Sequence, residues 1–169
     1  MADTNTFLTR FLYGLLPQFA DGPSGVLTRS TTTAATIADT NETTLWTYDL
    51  PANVLSADGK GVRITAWGTT AATANTKTLR LYFGSGLSGV AHSFGFNNLD
   101  WELSAIVLRT GAAAQTFKEM ALIDSNTPNI VLGTLTENTA AVITIKMTGL
   151  NGTAAANDIV FKGAVVELL

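Results

Sequence analysis

From residue 26 to the end of the chain, apolar and polar residues alternate with a period of two in short runs, and turn-forming residues break each run. In "VRITAWGT" (62–69), Val62, Ile64 and Ala66 alternate with Arg63, Thr65 and Trp67. In "KTLRLYF" (77–83), Leu79, Leu81 and Phe83 alternate with Thr78, Arg80 and Tyr82. "TTLWTYDL" (43–50) puts Trp46, Tyr48 and Leu50 on one side, and Pro51 closes the run. "VLTRSTTT" (26–33) is a further strand, and others are predicted at 101–110, 115–124, 129–135, 141–149 and 158–169. Between them lie turn signals such as Asp58-Gly59 and polar loops such as "TAATANT" and "LNGTAAAND". Short strands at this spacing predict an all-β fold, an antiparallel β-sandwich or barrel. Abundant Thr favours strands, and abundant Gly and Asn favour the turns that join them.

The leading segment follows a different period. In "FLTRFLYGLLP", Phe7, Leu8, Phe11, Leu12, Leu15 and Leu16 fill half of a helical wheel. Thr4, Asn5 or Thr6 can cap the start, and Pro17 marks a stop. The pattern predicts a short amphipathic helix over 6–16, followed by a Gly/Pro linker, "QFADGPSG", at 18–25. So short a helix does not persist alone in water. Burial of its six apolar side chains contributes on the order of 9 to 18 kcal/mol gross, before entropy is subtracted. It must dock, either on its own domain or on a neighbouring subunit, and the linker favours a neighbour. The expected organisation is an arm and linker at 1–25 and a sandwich domain at 26–169.

Charged residues make up only 14% of the chain, so a large share of its surface is expected to face other subunits. The net charge is −3, and five Lys and five Arg are scattered singly, which gives nucleic acid no basic groove. There is no cysteine, which removes disulfides, thiolate metal sites and a thiol nucleophile. No apolar run approaches the ~20 residues of a membrane span. The start at Met1 and the acidic Asp3 predict a complete gene product without a secretory leader.

"LYFGSGLSG" (81–89) carries Gly84, Gly86 and Gly89 in the dinucleotide-binding spacing G-x-G-x-x-G. That fingerprint needs a helix after the glycines, to aim N–H groups at a pyrophosphate. "VAHSFGFNNLDW" is a poor helix, and the next strand follows too soon for a crossover, so these glycines are expected only to turn the chain. His92 is the only histidine, and no G-x-S-x-G elbow accompanies it. It is expected to be a hydrogen-bonded structural residue, and a histidine-based zinc site lacks ligands. Carboxylates for glycoside cleavage are available at Asp39, Glu42, Asp49, Asp100, Glu102, Glu119, Asp124 and Glu137. Calcium could be held by the Asp/Asn-rich loops "IDSNTPN" (123–129) and "LNGTAAAND" (150–158), without EF-hand spacing. Trp46, Tyr48, Trp67, Tyr82 and Trp101 either form a platform for sugar faces or belong to the core or an interface.

One stretch carries a resemblance. Residues 41–86 hold Leu45, Trp46, Tyr48, Leu50-Pro51, Leu55, Asp58-Gly59, Arg63-Ile64, Trp67-Gly68, Asn75, Lys77 and Leu81-Tyr82-Phe83-Gly84. This pattern resembles small jelly-roll structural proteins of tailed bacteriophages, of the head-decoration, head-fibre or tail kinds. The resemblance implies a jelly-roll sandwich, a place in the virion and no catalytic residues. With the arm and the low charge, it leads to the expectation of a non-enzymatic capsid decoration (cement) protein. Such a protein would be a homotrimer docked on other virion proteins, above all the major capsid protein, through Phe7, Leu8, Phe11, Leu12, Leu15 and Leu16. No cofactor, metal, nucleic acid or membrane enters that reading. The alternative is a tail- or fibre-associated module that binds a receptor glycan through exposed aromatics.

Overall fold

The computed structural model describes residues 25–86, 92–95, 98–124 and 128–169. The predicted helix at 6–16, with its six apolar residues, lies outside them, as does Gly89. Among the described residues there are eleven strands and no helix. They are β1 (Gly25–Ser30), β2 (Ala34–Ala35), β3 (Glu42–Leu50), β4 (Gly61–Thr70), β5 (Lys77–Phe83), β6 (His92–Phe94), β7 (Asp100–Gly111), β8 (Ala114–Ile123), β9 (Asn129–Leu135), β10 (Ile143–Asn151) and β11 (Ile159–Leu168). Two antiparallel sheets result. The larger runs β1-β11-β4-β7-β8-β9, with β2 also paired to β11, and the smaller runs β3-β10-β5-β6.

Alternation sets which side chains meet between the sheets. On β4, Val62, Ile64 and Ala66 are fully buried, while Arg63 and Trp67 are exposed. On β5, Leu79, Leu81 and Phe83 point inward against Ile145 and Met147 of the neighbouring β10. Leu103, Val107, Phe161 and Val166 fill the facing layer. A register shift between Met147 and Thr148 adds an extra residue to β3, so Leu45 is buried alongside the face that carries Trp46, Tyr48 and Leu50. Trp46 stacks on Tyr48 at 6.4 Å and on Phe161 at 6.2 Å between ring centroids, which puts that pair in the packing of the sandwich.

Three polar anchors interrupt the apolar interior. Lys77 and Asp158 are both fully buried. The Lys77 ammonium donates to the Thr73 carbonyl (2.7 Å), the Asn75 carbonyl (2.9 Å) and Thr73 Oγ1 (3.1 Å), and lies 3.7 Å from the Asp158 carboxylate. Thr73 and Asn75 also donate to Asp158. Gln115 donates to the Glu137 carbonyl and accepts from its N–H. His92 Nε2 lies 3.1 Å from Glu119 Oε1, which ties β6 of the smaller sheet to β8 of the larger.

Candidate functional site

A broad concavity lies on the outer face of the larger sheet. It encloses about 420 Å³ and is lined by Trp67, Thr69, Asp100, Glu102, Leu122, Asp124 and Lys162, with Trp101 beneath. The sheet register builds it. Trp67 on β4 stands opposite Glu102 on β7, which stands opposite Leu122 on β8. Thr69 faces Asp100 one row further. Asp124 has a left-handed backbone (φ 54°) as β8 ends, and its N–H donates to the Asp100 carbonyl.

A bulge on β11 completes the site. The register shifts between Phe161 and Gly163, so Lys162 is the extra residue and Gly163 becomes the partner of Trp67. The Trp67 ring lies across Gly163, where an added Cβ would stand 2.5 Å from indole Cζ2. Glycine is therefore what lets the indole lie low over the sheet. Trp67 keeps 37% of its surface open to solvent. Beside it, Trp101 is buried and its Nε1 donates to the Thr69 carbonyl, so it supports the floor and offers no open ring face. The rim carries three carboxylates against one ammonium.

A second polar constellation occupies the outer face of the smaller sheet. Glu42 accepts from Thr148 Oγ1 (2.6 Å), Tyr82 Oη (2.7 Å) and Arg80 (2.7 Å). The Lys146 ammonium sits 4.2 Å from the centre of the Tyr82 ring. Burial pushes the Glu42 carboxyl up, but the Thr148 and Tyr82 hydrogen bonds and the Arg80 and Lys146 charges outweigh it, and the net shift is downward. Burial, and then the bond and charge of Glu42, raise the Tyr82 hydroxyl. Glu42 is satisfied within the cluster by Arg80, Tyr82 and Thr148, and Lys146 rests on the Tyr82 ring.

The other predicted residues scatter. Of the five aromatics, only Trp67 and Trp101 share a concavity, since Trp46 and Tyr48 pack in the sandwich and Tyr82 lies on the opposite outer face. Of the eight carboxylates, Asp100, Glu102 and Asp124 come together. Asp49 accepts from Thr144, Asp39 from Asn41, and Glu119 is buried against His92. His92 is buried at 4% exposure and also approaches Asn129, the structural role its isolation predicted. Among the calcium-loop residues, Asp158 is engaged by Lys77, and residues 125–127 lie outside the described set.

The glycine motif does hold an anion, and the anion is its own. Gly84 has φ +67°, and the turn it opens aims the Ser85 and Gly86 N–H groups at Glu137 Oε1, at 2.8 and 2.9 Å. Ser85 Oγ adds a third bond at 2.7 Å. A side chain at Gly84 would overlap that carboxylate. Sequence reasoning found the turn and missed its occupant, because Glu137 lies about fifty positions away. Lys162 was also missed, since a bulge leaves no mark on the alternation of "VFKGAVV".

No family model matches this chain, and no curated protein does. Among solved structures, it is similar to the CBM2 module of the evolved Dit of Lactobacillus casei BL23 phage J-1. The identity is 12% and the TM-score 0.39, over 86% of this chain and 79% of that one. It is also similar to the marine PL-14 alginate lyase from Aplysia kurodai, at 8% identity and TM-score 0.42, over 94% of each chain. Both likenesses are of β-sandwich architecture at low TM-scores, and neither assigns a role to a residue here.

Proposed function

We propose that this chain is a non-catalytic glycan-binding module of a bacteriophage virion, and that the Trp67 groove is its sugar site. The alternation of strands between the sheets is the path a jelly-roll chain takes, and the resemblance over 41–86 supports the virion setting. The observation that carries the reading is the half-open Trp67 indole, laid low by Gly163 and ringed by short polar side chains. A sugar ring has one apolar face and a rim of hydroxyls. A flat aromatic takes the face, and Asp100, Glu102, Asp124 and Thr69 accept from the hydroxyls. The volume suits one or two sugar rings.

Charge narrows the ligand. Three carboxylates against Lys162 repel uronates, sialic acids and sulfated sugars and favour neutral hexoses or amino sugars. We assign binding and not cleavage, because Asp100 and Asp124 are exposed and Glu102 is only half-buried, whereas a general acid needs a desolvated carboxyl. A glycan array tests this. The expected signal is one family of neutral or amino sugars, bound without product and lost in Trp67→Ala. Silence across the array, or turnover of a bound sugar, overturns it.

The capsid-decoration reading keeps one observation in its favour. Ile130 and Leu132 are strongly exposed on the outer face of the larger sheet, as a surface for neighbouring virion subunits would be. A homotrimer on the major capsid protein belongs to that reading. Co-sedimentation with empty capsids separates it from the glycan reading.

A further inference from the structure

The outer face of the larger sheet has two ends with different chemistry. One end is the Trp67 groove. The other carries five apolar side chains, Ile106 and Leu108 on β7, Met120 on β8, and Ile130 and Leu132 on β9, with Ser104, Thr116 and Lys118 set among them. Cross-strand pairing sets Leu132 beside Lys118 and Ile106, and Ile130 beside Met120 and Ser104. Leu132 is 72% exposed, and a shallow hollow of about 230 Å³ opens between it, Ile106 and Leu108. Among the described residues, the strand that carries Ile130 and Leu132 is also a sheet edge. An apolar, unpaired edge of this kind invites aggregation unless something covers it.

The register shows what is near enough to do so. Gly25, where the described chain begins, pairs with Leu168, then in sequence across the sheet come Val62, Val107, Phe117 and Gly133. That row runs through the middle of the apolar end, between Leu132 and Thr134. The chain preceding Gly25 therefore starts level with the patch and needs only to travel sideways. At about 4.8 Å per strand, β7 lies roughly 14 Å and β9 roughly 24 Å from β1. Residues 17–24, with Pro17 and the Gly22-Pro23 pair, span up to about 26 Å when extended. An eleven-residue helix is about 16 Å long, close to the extent of the patch along the strands.

We propose that residues 6–16 of the same chain cover this face, with Phe7, Leu8, Phe11, Leu12, Leu15 and Leu16 laid on Ile106, Leu108, Met120, Ile130 and Leu132. The linker crosses β11 and β4 on the outer side. The arm shields the β9 edge and leaves the Trp67 groove open, so the inference is independent of what that groove binds, while it takes Ile130 and Leu132 away from the capsid-decoration reading.

The chain has no native cysteine, which makes the test direct. In the full-length protein at low micromolar concentration, Leu12→Cys is combined with Leu132→Cys and treated with a short bis-maleimide. The comparison pair is Leu12→Cys with Glu167→Cys, on β11 beside β1 and nearer the tether. Both sheet positions are solvent-accessible, and thermal melts verify that each variant is folded. A docked arm gives at least a tenfold higher intramolecular yield with Leu132→Cys. An unattached arm gives equal yields or favours the nearer Glu167→Cys, which overturns the proposal. Cross-linked dimers overturn it too, in favour of a second copy exchanging arms.

Discussion

Replacing Lys77 by Met removes a cation from the interior without removing its volume, and the structure fixes what is left behind. The ammonium is fully buried, uses its three donors on two carbonyls and one hydroxyl, and pairs with the Asp158 carboxylate 3.7 Å away. In Lys77→Met, the Thr73 and Asn75 carbonyls lose their donor and Asp158 keeps only the bonds from Thr73 and Asn75. Breaking one side of a buried ion pair costs about 3–5 kcal/mol, because the surviving charge is left uncompensated. For a chain of this size each kcal/mol moves the melting point by roughly 2–4 °C, so the expected drop is about 6–20 °C. Asp158→Leu in the same background removes the stranded charge and returns part of the loss. The assay is a double-mutant cycle by thermal and denaturant melts, with a coupling of at least about 1.5 kcal/mol expected. A Lys77→Met cost below about 1 kcal/mol, or strict additivity of the two substitutions, would refute the reasoning.

Burial raises the Glu119 carboxyl above its usual value, more than the bond and charge of His92 lower it, and Oε2 has no partner among the described residues. A raised folded-state value means that the protonated carboxyl's contribution is full below the unfolded value of ~4.3 and fades as pH rises through the folded one. Wild type is therefore expected to lose stability relative to Glu119→Gln as pH rises from about 4, in denaturant melts across pH 4–8. A relative gain over that interval contradicts it. Glu137→Ala strips the acceptor from the Ser85 and Gly86 N–H groups and should cost about 1–2 kcal/mol, like the loss of a helix cap. Hydrogen exchange at those two amides should accelerate at least tenfold, and unchanged exchange would mean the carboxylate does not hold the turn.

The sheets were legible because their signal is local. Alternation in "VRITAWGT" and "KTLRLYF" marks the buried faces of β4 and β5 directly, and both strands fall within a residue of their expected ends. β6 was not legible: three residues between glycines carry no period, and pairing with β5 makes the strand. The site was only partly legible. Alternation put Trp67 on the same side of its strand as Arg63 and Thr65, but nothing in the sequence set it apart from the other four aromatics. Its neighbours Asp100, Glu102, Asp124 and Lys162 come from three other strands, and only the register and the β11 bulge bring them together. Of the two readings open for the five aromatics, a single shared platform fails for the same reason, and packing with the core holds for Trp46, Tyr48 and Trp101. Alternation says which residues share a face of one strand, and a bulge or a second sheet decides which faces meet.

The central claim is that Trp67 is a sugar platform, and calorimetric titration of wild type and Trp67→Ala with the array's preferred sugar tests it most directly. With 37% of its surface open, the indole offers roughly 90 Å² to a ligand, worth up to about 2.3 kcal/mol at ~25 cal/mol per Å². The account predicts a loss of affinity of about 10- to 50-fold in the variant, with its melting point within a few degrees of wild type. Equal affinity in the two proteins, or no heat from any neutral or amino sugar, contradicts it.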